Sequence, residues 1–415
     1  MFKSIVAKLK IPKLNYKFSL ILEKNEDWLF LLIGLALALA LRLLLRGYVS
    51  GDAVTGSLPW YDYIESHQGI EALKHNFSGY PPLYLYMLVA SYYINQFLNL
   101  SHLAAIKSIS IVFDFFAAFW FGKIVQLKYP GKTVSFCAAL AFLFLPTVFM
   151  NGPMWGQIDG IFTSFLLASM YYLLKQRDMM AMVAFGLGLS IKFQAIFLAP
   201  FLLVLFLLRK LSFRSLLLAP AVVLITLVPS WIIGRPLDQL LMIYVNQVGS
   251  FDALTLDAPT FYALIDNSVN YLFNLGGVII AAAIVMIAVF TVYKMHPFLK
   301  PDLLVGLAAA CLLLVTYILP MMHERYFFPA EVFFLLFAFY RPRIAFVPIG
   351  LQITALVTYS DYFFGRTFLP LTTDSLIMLA LLVFVLYDIA KMLIEGREEA
   401  KRQMPTGSPA APSSI

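Results

Sequence analysis

Residues 81–98 read PPLYLYMLVASYYINQFL, and whether they cross a membrane decides the fold. That a membrane is involved follows from composition. Of 415 residues, 61% are hydrophobic and 13% charged, whereas a soluble domain is typically about 45–50% apolar and about 25% charged. The formal net charge of +7 is then a statement about topology, because cytoplasmic loops of membrane proteins collect Lys and Arg. It gives no reason to expect a nucleic acid partner.

A spanning helix needs about 20 apolar residues. Candidate spans are 28–46, 104–122, 133–151, 157–175, 213–233, 273–293, 301–320, 325–340, 343–360 and 373–392, with two more packed into 180–208. Lys123/Lys128/Lys132, Lys175/Arg177, Arg209/Lys210/Arg214, Lys294/Lys300, Arg341/Arg343 and Lys391/Arg397 mark cytoplasmic ends. Segment 180–208 begins and ends at such sites. It must go out and return as two short or broken helices, with Pro200 near the junction and Lys192 near the outer end of the first. The basic N-terminus sends 28–46 outward, and 104–122 must start outside to bring Lys123 inside. A full crossing by 81–98 breaks that alternation. Its Tyr84, Tyr86, Tyr92, Tyr93, Asn95 and Gln96 suit the interface instead, where aromatic rings with a polar tip are favoured. The sequence therefore predicts a juxtamembrane helix at 81–98 inside one external loop, 47–103. The whole is an all-α polytopic membrane protein of about twelve spans with both termini cytoplasmic.

Residues 1–27 read as a basic, mildly amphipathic cytoplasmic segment rather than a cleavable leader. Residues 28–340 form the main transmembrane region and 341–393 add C-terminal spans. Residues 394–415, ending in QMPTGSPAAPSSI, read as a disordered cytoplasmic tail. Cys137 and Cys311 fall in apolar runs and read as buried small hydrophobes, not as a disulfide or metal pair.

With sides assigned, the remaining ionisable residues gather on the outer face. PMMHERYFFPAEVFF at 320–334 sets His323, Glu324 and Arg325 back to back between apolar runs. A charge at a bilayer centre costs about 2.5–3.5 kcal/mol. The topology moves the triplet to an outer turn, where Pro320 ends one helix and Pro329 lies in the first turns of the next. Glu324 is placed to complement the helix N-terminus or to pair with Arg325, which leaves His323 and Arg325 to face an anion. No cytoplasmic loop is long enough for a soluble catalytic domain, so any chemistry belongs at the outer surface. Asp52, in GDAVTGSLPW, reads either as a helix N-cap or as a general base at the interface. Asp62, in PWYDYIESH, is the runner-up base, on a solvated face with Glu65. In WGQIDG, Trp155, Gln157 and Asp159 sit at a Gly-flanked turn, with Asp159 either capping the next helix or touching a substrate. Lys192, in LSIKFQAIF, has no acid nearby in sequence; it either snorkels or binds an anion. Arg235 comes from the long loop 235–270. His67 and His75 fit no metal template.

GD at 51–52, YPPLYLY at 80–86, WGQIDG at 155–160, IKFQAIFLAP at 191–200 and HERYFF at 323–328 form an ordered set on the outer face. Over roughly residues 28–340 this set resembles the GT-C superfamily of membrane glycosyltransferases. It is most similar to the dolichyl- and polyprenyl-phosphate-sugar-dependent glucosyltransferases that extend the lipid-linked oligosaccharide in the endoplasmic reticulum, and to their bacterial relatives. The resemblance implies an inverting transfer of a hexose, mannosyl or glucosyl, from a polyprenyl-phosphate sugar to a lipid-linked or envelope glycan acceptor. Asp52 is then the base. His323, Arg325, Lys192 and Arg235 bind the donor phosphate, and Asp62, Tyr80, Trp155, Gln157, Asp159, Gln194 and Glu324 contact substrate. The eukaryotic pattern has Lys where Arg325 stands; the charge is kept, and a guanidinium holds phosphate bidentately. Compact external loops in a short chain point to a bacterial plasma membrane. A leaving group that is already a phosphate needs little help from a metal, so neither metal nor cofactor is expected. The rival class is a transporter or flippase of lipid-linked saccharides, which sets ionisable groups at mid-membrane and often repeats its halves. Here the polar residues lie at one face and no repeat is detectable.

Overall fold

A computed structural model describes residues 26–246, 253–265 and 271–403. Most of the expected N-terminal segment and of the tail lie outside the described residues. The apolar runs fold as α1 (Glu26–Leu45), α2 (Leu58–Ser66), α3 (Pro82–Leu98), α4 (His102–Lys128), α5 (Lys132–Leu143), α6 (Asp159–Leu174), α7 (Asp178–Ile191) and α8 (Ala199–Leu207). They continue as α9 (Leu218–Ile233), α10 (Leu237–Asn246), α11 (Tyr271–Met295), α12 (Pro301–Ile318), α13 (Phe328–Tyr340), α14 (Phe346–Phe364) and α15 (Leu371–Gln403). Two short strands, β1 (Thr255–Leu256) and β2 (Met322–His323), pair in parallel.

Among the described residues, seven helices are long and apolar enough to cross a membrane, or eight if the pair bent by 54° between Leu143 and Pro146 is one span. The expected figure of about twelve adds shorter apolar segments, α6, α7, 193–207 and α13. Their shortness shapes the site. The 14 residues of α7 rise about 21 Å against a hydrocarbon core of about 30 Å. The chain therefore turns at Lys192 inside the bundle, where that side chain is only 3% exposed. The break expected near Pro200 falls instead at Lys192, whose backbone is extended, followed by a 3-10 turn at Phe193–Leu198. Pro200 lies in the first turn of α8, where its missing N–H costs nothing.

The stretch 81–98 is a helix and is not among the described helices that qualify as spans. Pro82 starts it with a preset φ. Asn99, left-handed at φ 50°, stops it, while the Asn95 amide bonds both the N–H and the carbonyl of Leu100. Tyr84, Leu85, Leu88 and Val89 form one buried face, and Phe97 is 87% exposed. That face packs on α2, α4, α7 and α9. The Tyr86 hydroxyl donates to Thr226 O at 2.9 Å and accepts from Ser230 N at 3.0 Å, sitting between the two groups that close a turn of α9 beside Pro229. The helix thus closes one end of the bundle. The basic clusters gather at the other end, where Lys128 reaches Tyr340 O, Arg341 and Arg343 pair with Asp388, and Lys300 pairs with Glu399.

Two further expectations change. Cys137 is exposed on α5 and Cys311 half-buried; an apolar run in a membrane protein faces lipid as readily as core, so apolarity alone does not mean burial. The last helix runs ten residues past the boundary at 393, to Gln403.

Inside the bundle Arg42 and Asp114 are both fully buried, with Nε to Oδ2 at 2.8 Å, and the other guanidinium nitrogens donate to Ala38 O and Leu143 O. This joins α1, α4 and α5. Breaking a buried pair on one side leaves an uncompensated charge, at about 3–5 kcal/mol, whereas replacing both partners by apolar groups is often neutral. Arg42→Met is expected to lower the thermal unfolding midpoint in detergent sharply, and Arg42→Met with Asp114→Leu to recover most of it.

Candidate active site

At the end of the bundle closed by α3, two chambers share a wall. One, about 180 Å³, is bounded by Asp52, Ser57, Gly156 and Gln157. The other, about 300 Å³, is bounded by Lys192, Gln194, His323 and Tyr326. Trp60, Tyr80 and Arg325 line both.

Asp52 stands before a π-helical turn, Ala53–Ser57, but makes no side-chain cap bond. The Ser50 hydroxyl takes the Ala53 N–H instead, at 3.1 Å. Asp52 Oδ2 accepts from Trp155 Nε1 at 3.1 Å and from Gln157 Nε2, and lies 3.5 Å from an Arg325 terminal nitrogen. Among the described residues no hydrogen bond reaches Oδ1, so one carboxylate oxygen is held and the other faces the chamber. The Asp52 backbone N–H donates to Tyr362 at 3.1 Å, and the Tyr362 ring stacks on Trp155 at 4.2 Å. Helix α14, which the sequence places among the additional C-terminal spans, therefore builds part of the site.

The WGQIDG turn needs its first glycine. Gly156 has φ +89°, and a Cβ there would lie 3.3 Å from Lys107 Cε. Lys107, which sequence reasoning passed over, is fully buried in α4. Its ammonium donates to Tyr48 O and to Met154 O, each at 2.5 Å. The chain before Asp52 is thus tied to the turn carrying Trp155 and Gln157. The available signal is a lone lysine inside the apolar run 104–122; such residues are rare in spans without a task.

Asp159 does not cap α6. Its two oxygens accept from Lys192 Nζ at 2.5 Å and from Asn151 Nδ2 at 3.0 Å. The missing acid for Lys192 lies 33 residues away in sequence, and the ammonium neither snorkels nor stands unpaired. It still lines the larger chamber, 5.1 Å from the Tyr326 ring.

The HERYFF turn is held from outside the bundle. β2 pairs with β1, and Met321 N–H donates to Leu254 O at 2.7 Å. Glu324 is buried, 3.6 Å from His323 Nδ1 and 4.0 Å from Arg325, so it serves its neighbours rather than a helix end. The Arg325 guanidinium lies over Trp155 at 5.4 Å and Tyr326 at 5.7 Å. Asp52 at 3.5 Å and Glu324 at 4.0 Å are its carboxylate neighbours.

Of the residues singled out from sequence, Asp52, Tyr80, Gln157, Lys192, Gln194, His323 and Arg325 line the chambers. Trp155, Asp159 and Glu324 stand behind the walls and position others. Arg235 is 1% exposed and donates to Asn76 Oδ1 at 2.6 Å, one layer back from the larger chamber. Asp62 is turned away: α2 buries Tyr61 and Ile64, so Asp62 and Glu65 project outward, where they meet His102 at 2.8 and 3.4 Å.

The fold, a helical bundle with α3 over one end, is similar to that of a solved membrane protein. ArnT from Cupriavidus metallidurans bound to undecaprenyl phosphate matches with a TM-score of 0.53 and 11% identity, over 92% of this chain and 82% of that one. The sequence matches no family profile, and no curated relative is similar to it.

Asp257, left-handed at φ 57°, bridges to His323. Burial first, then Glu324 and Asp361, raise its carboxyl pKa, and His323 opposes them. The folded state then holds this proton more tightly than the unfolded chain. Its contribution is unfavourable and flat at neutral pH, where the group is charged in both states. That penalty is relieved as pH falls through the raised folded value towards the ordinary carboxylate range. Asp257→Asn, which keeps a residue tolerant of left-handed backbone, is expected to raise the unfolding midpoint at pH 7.5. The gain should shrink at pH 4.5, as thermal melts at the two pH values would show.

Proposed function

We propose that the protein is an inverting glycosyltransferase moving a hexose from a polyprenyl-phosphate sugar to a lipid-linked or envelope glycan acceptor, at the extracytoplasmic face of a bacterial plasma membrane. One observation carries the reading. Asp52, with one oxygen uncommitted, and a chamber holding His323, Lys192 and Arg325 lie on the two sides of a single guanidinium. Single displacement needs that separation of charge. The basic clusters at the far end of the bundle support the outer placement, and the undecaprenyl phosphate bound by ArnT supports a polyprenyl-phosphate ligand for a fold of this kind.

In this reading the acceptor hydroxyl enters the smaller chamber and gives its proton to Asp52 Oδ1, while its oxygen bonds to the anomeric carbon. The bond from that carbon to the phosphate oxygen breaks on the opposite side, and the lipid phosphate leaves with the electron pair. Inversion follows. Trp155, Gln157 and Arg325 fix Oδ2, so the base meets the hydroxyl without first reorganising. Arg325 and His323 stabilise the charge gathering on the phosphate. Lys192, already neutralised by Asp159, contributes position more than net charge.

Purified protein, a polyprenyl-phosphate hexose and a lipid-linked acceptor test this. Asp52→Asn is expected to slow transfer by about 10²- to 10⁴-fold, the usual contribution of a general base, with donor affinity kept. Transfer at the wild-type rate overturns the assignment. Arg325→Ala is expected to weaken binding of bare polyprenyl phosphate by about 10- to 100-fold, the worth of a charge-assisted contact. Unchanged affinity removes Arg325 from the phosphate site.

A further inference from the structure

The larger chamber has chemistry that a phosphate does not use. Above its cations stand the neutral amides of Asn76, Gln194, Gln239 and Asn246. Asn76 and Gln239 are exposed towards the mouth, and Gln194 Oε1 is buried with no hydrogen-bond partner. Beside them Trp60 is held edge-on by Tyr80 at 5.2 Å. Behind them Arg235 is 1% exposed, and its Nε and one terminal nitrogen make no hydrogen bond among the described residues. A guanidinium only donates. The Asn76 atom 2.6 Å from it is therefore the carbonyl oxygen, and the Asn76 amide nitrogen is left for the chamber it lines. Arg235 thus acts on the chamber through Asn76.

We propose that this amide rim is a sugar subsite, that it selects an uncharged sugar, and that Arg235 is the positioning residue that fixes Asn76 as a donor. An amide offers a donor and an acceptor side by side, which suits neighbouring ring hydroxyls. The Trp60 ring suits the apolar face of a sugar. Among the described residues no carboxylate lines the chamber, while Lys192, His323 and Arg325 do. A positively charged amino sugar meets the Arg325 guanidinium there and no carboxylate on the chamber lining; a neutral hexose meets only hydrogen-bonding partners. The volume of about 300 Å³ sits at the lower edge of small-ligand sites and suits one ring with its phosphate. The proposal rests on the glycosyl-transfer reading above and names the sugar class of that site.

Two binding arms separate the readings. The first titrates bare polyprenyl phosphate, polyprenyl-phosphate glucose and polyprenyl-phosphate glucosamine against the full-length protein in nanodiscs. Glucose is expected to add at least about tenfold to the affinity of the bare lipid, from two or more added hydrogen bonds, and glucosamine to add none. Asn76→Ala and Gln239→Ala should each lose roughly threefold to tenfold of the glucose gain, with bare lipid within twofold of wild type. Arg235→Met should reproduce Asn76→Ala, and the double variant should lose no more than either single one. The second arm uses methyl glucoside alone, read by saturation-transfer NMR on wild type and Asn76→Ala. Glucose adding nothing to a lipid phosphate that binds overturns the subsite and leaves the phosphate reading standing. Glucosamine binding as tightly as glucose overturns the selectivity. A methyl glucoside signal that is present in wild type and vanishes in Asn76→Ala, with no lipid phosphate bound, supports the subsite and overturns the phosphate reading.

Discussion

A buried ammonium holds together the two pieces of chain on which the site depends. Lys107 Nζ joins the carbonyl of Tyr48, four residues before Asp52, to that of Met154, next to Trp155. Ser50 repeats the tie by donating to Trp155 O at 2.6 Å. Because both segments are anchored to α4, the Asp52 carboxylate and the indole and amide that grip it keep one register. An ammonium without a carboxylate partner is costly in a span. Its placement here is intelligible because two main-chain oxygens accept it.

The same rule, that a buried charge must be paired or hydrogen-bonded, organises the other layers. Arg42 and Asp114 answer each other deep in the bundle, Lys192 and Asp159 nearer the chambers, and Arg325 meets both Asp52 and Glu324 at the wall. The two inner pairs close at 2.8 and 2.5 Å, and the one at the wall opens to 3.5 Å. Tight inner pairs hold the helices; the loose outer one leaves room for a ligand to compete for the guanidinium.

Short helices make room for this. α7 ends inside the bundle instead of at its surface, and α3 covers the gap without filling it. The paired strands β1 and β2 fasten the HERYFF turn to the loop after α10, so the cations on that turn are held on two sides. The two chambers are thus floored by buried, paired charge at the end of the bundle that α3 closes.

Much of this was legible beforehand. Composition pointed to the membrane, and the parity of basic clusters set 81–98 apart from the spans, as a helix that is not among those long and apolar enough to cross, because charge asymmetry and hydropathy act on each segment separately and leave a local record. The ordered motifs pointed to Asp52, His323 and Arg325 for the same reason. What the sequence could not decide was pairing. Asp159 read as a cap and Lys192 as unpartnered, though they meet across 33 positions. Asp62 and Asp52 looked alike until α2 turned one outward and the Trp155 turn captured the other. Lys107, Asn76 and Tyr362 acquire their roles only from neighbours brought together by packing. Hydropathy is a property of a stretch of chain; a hydrogen bond is a property of two groups whose proximity only the tertiary structure decides.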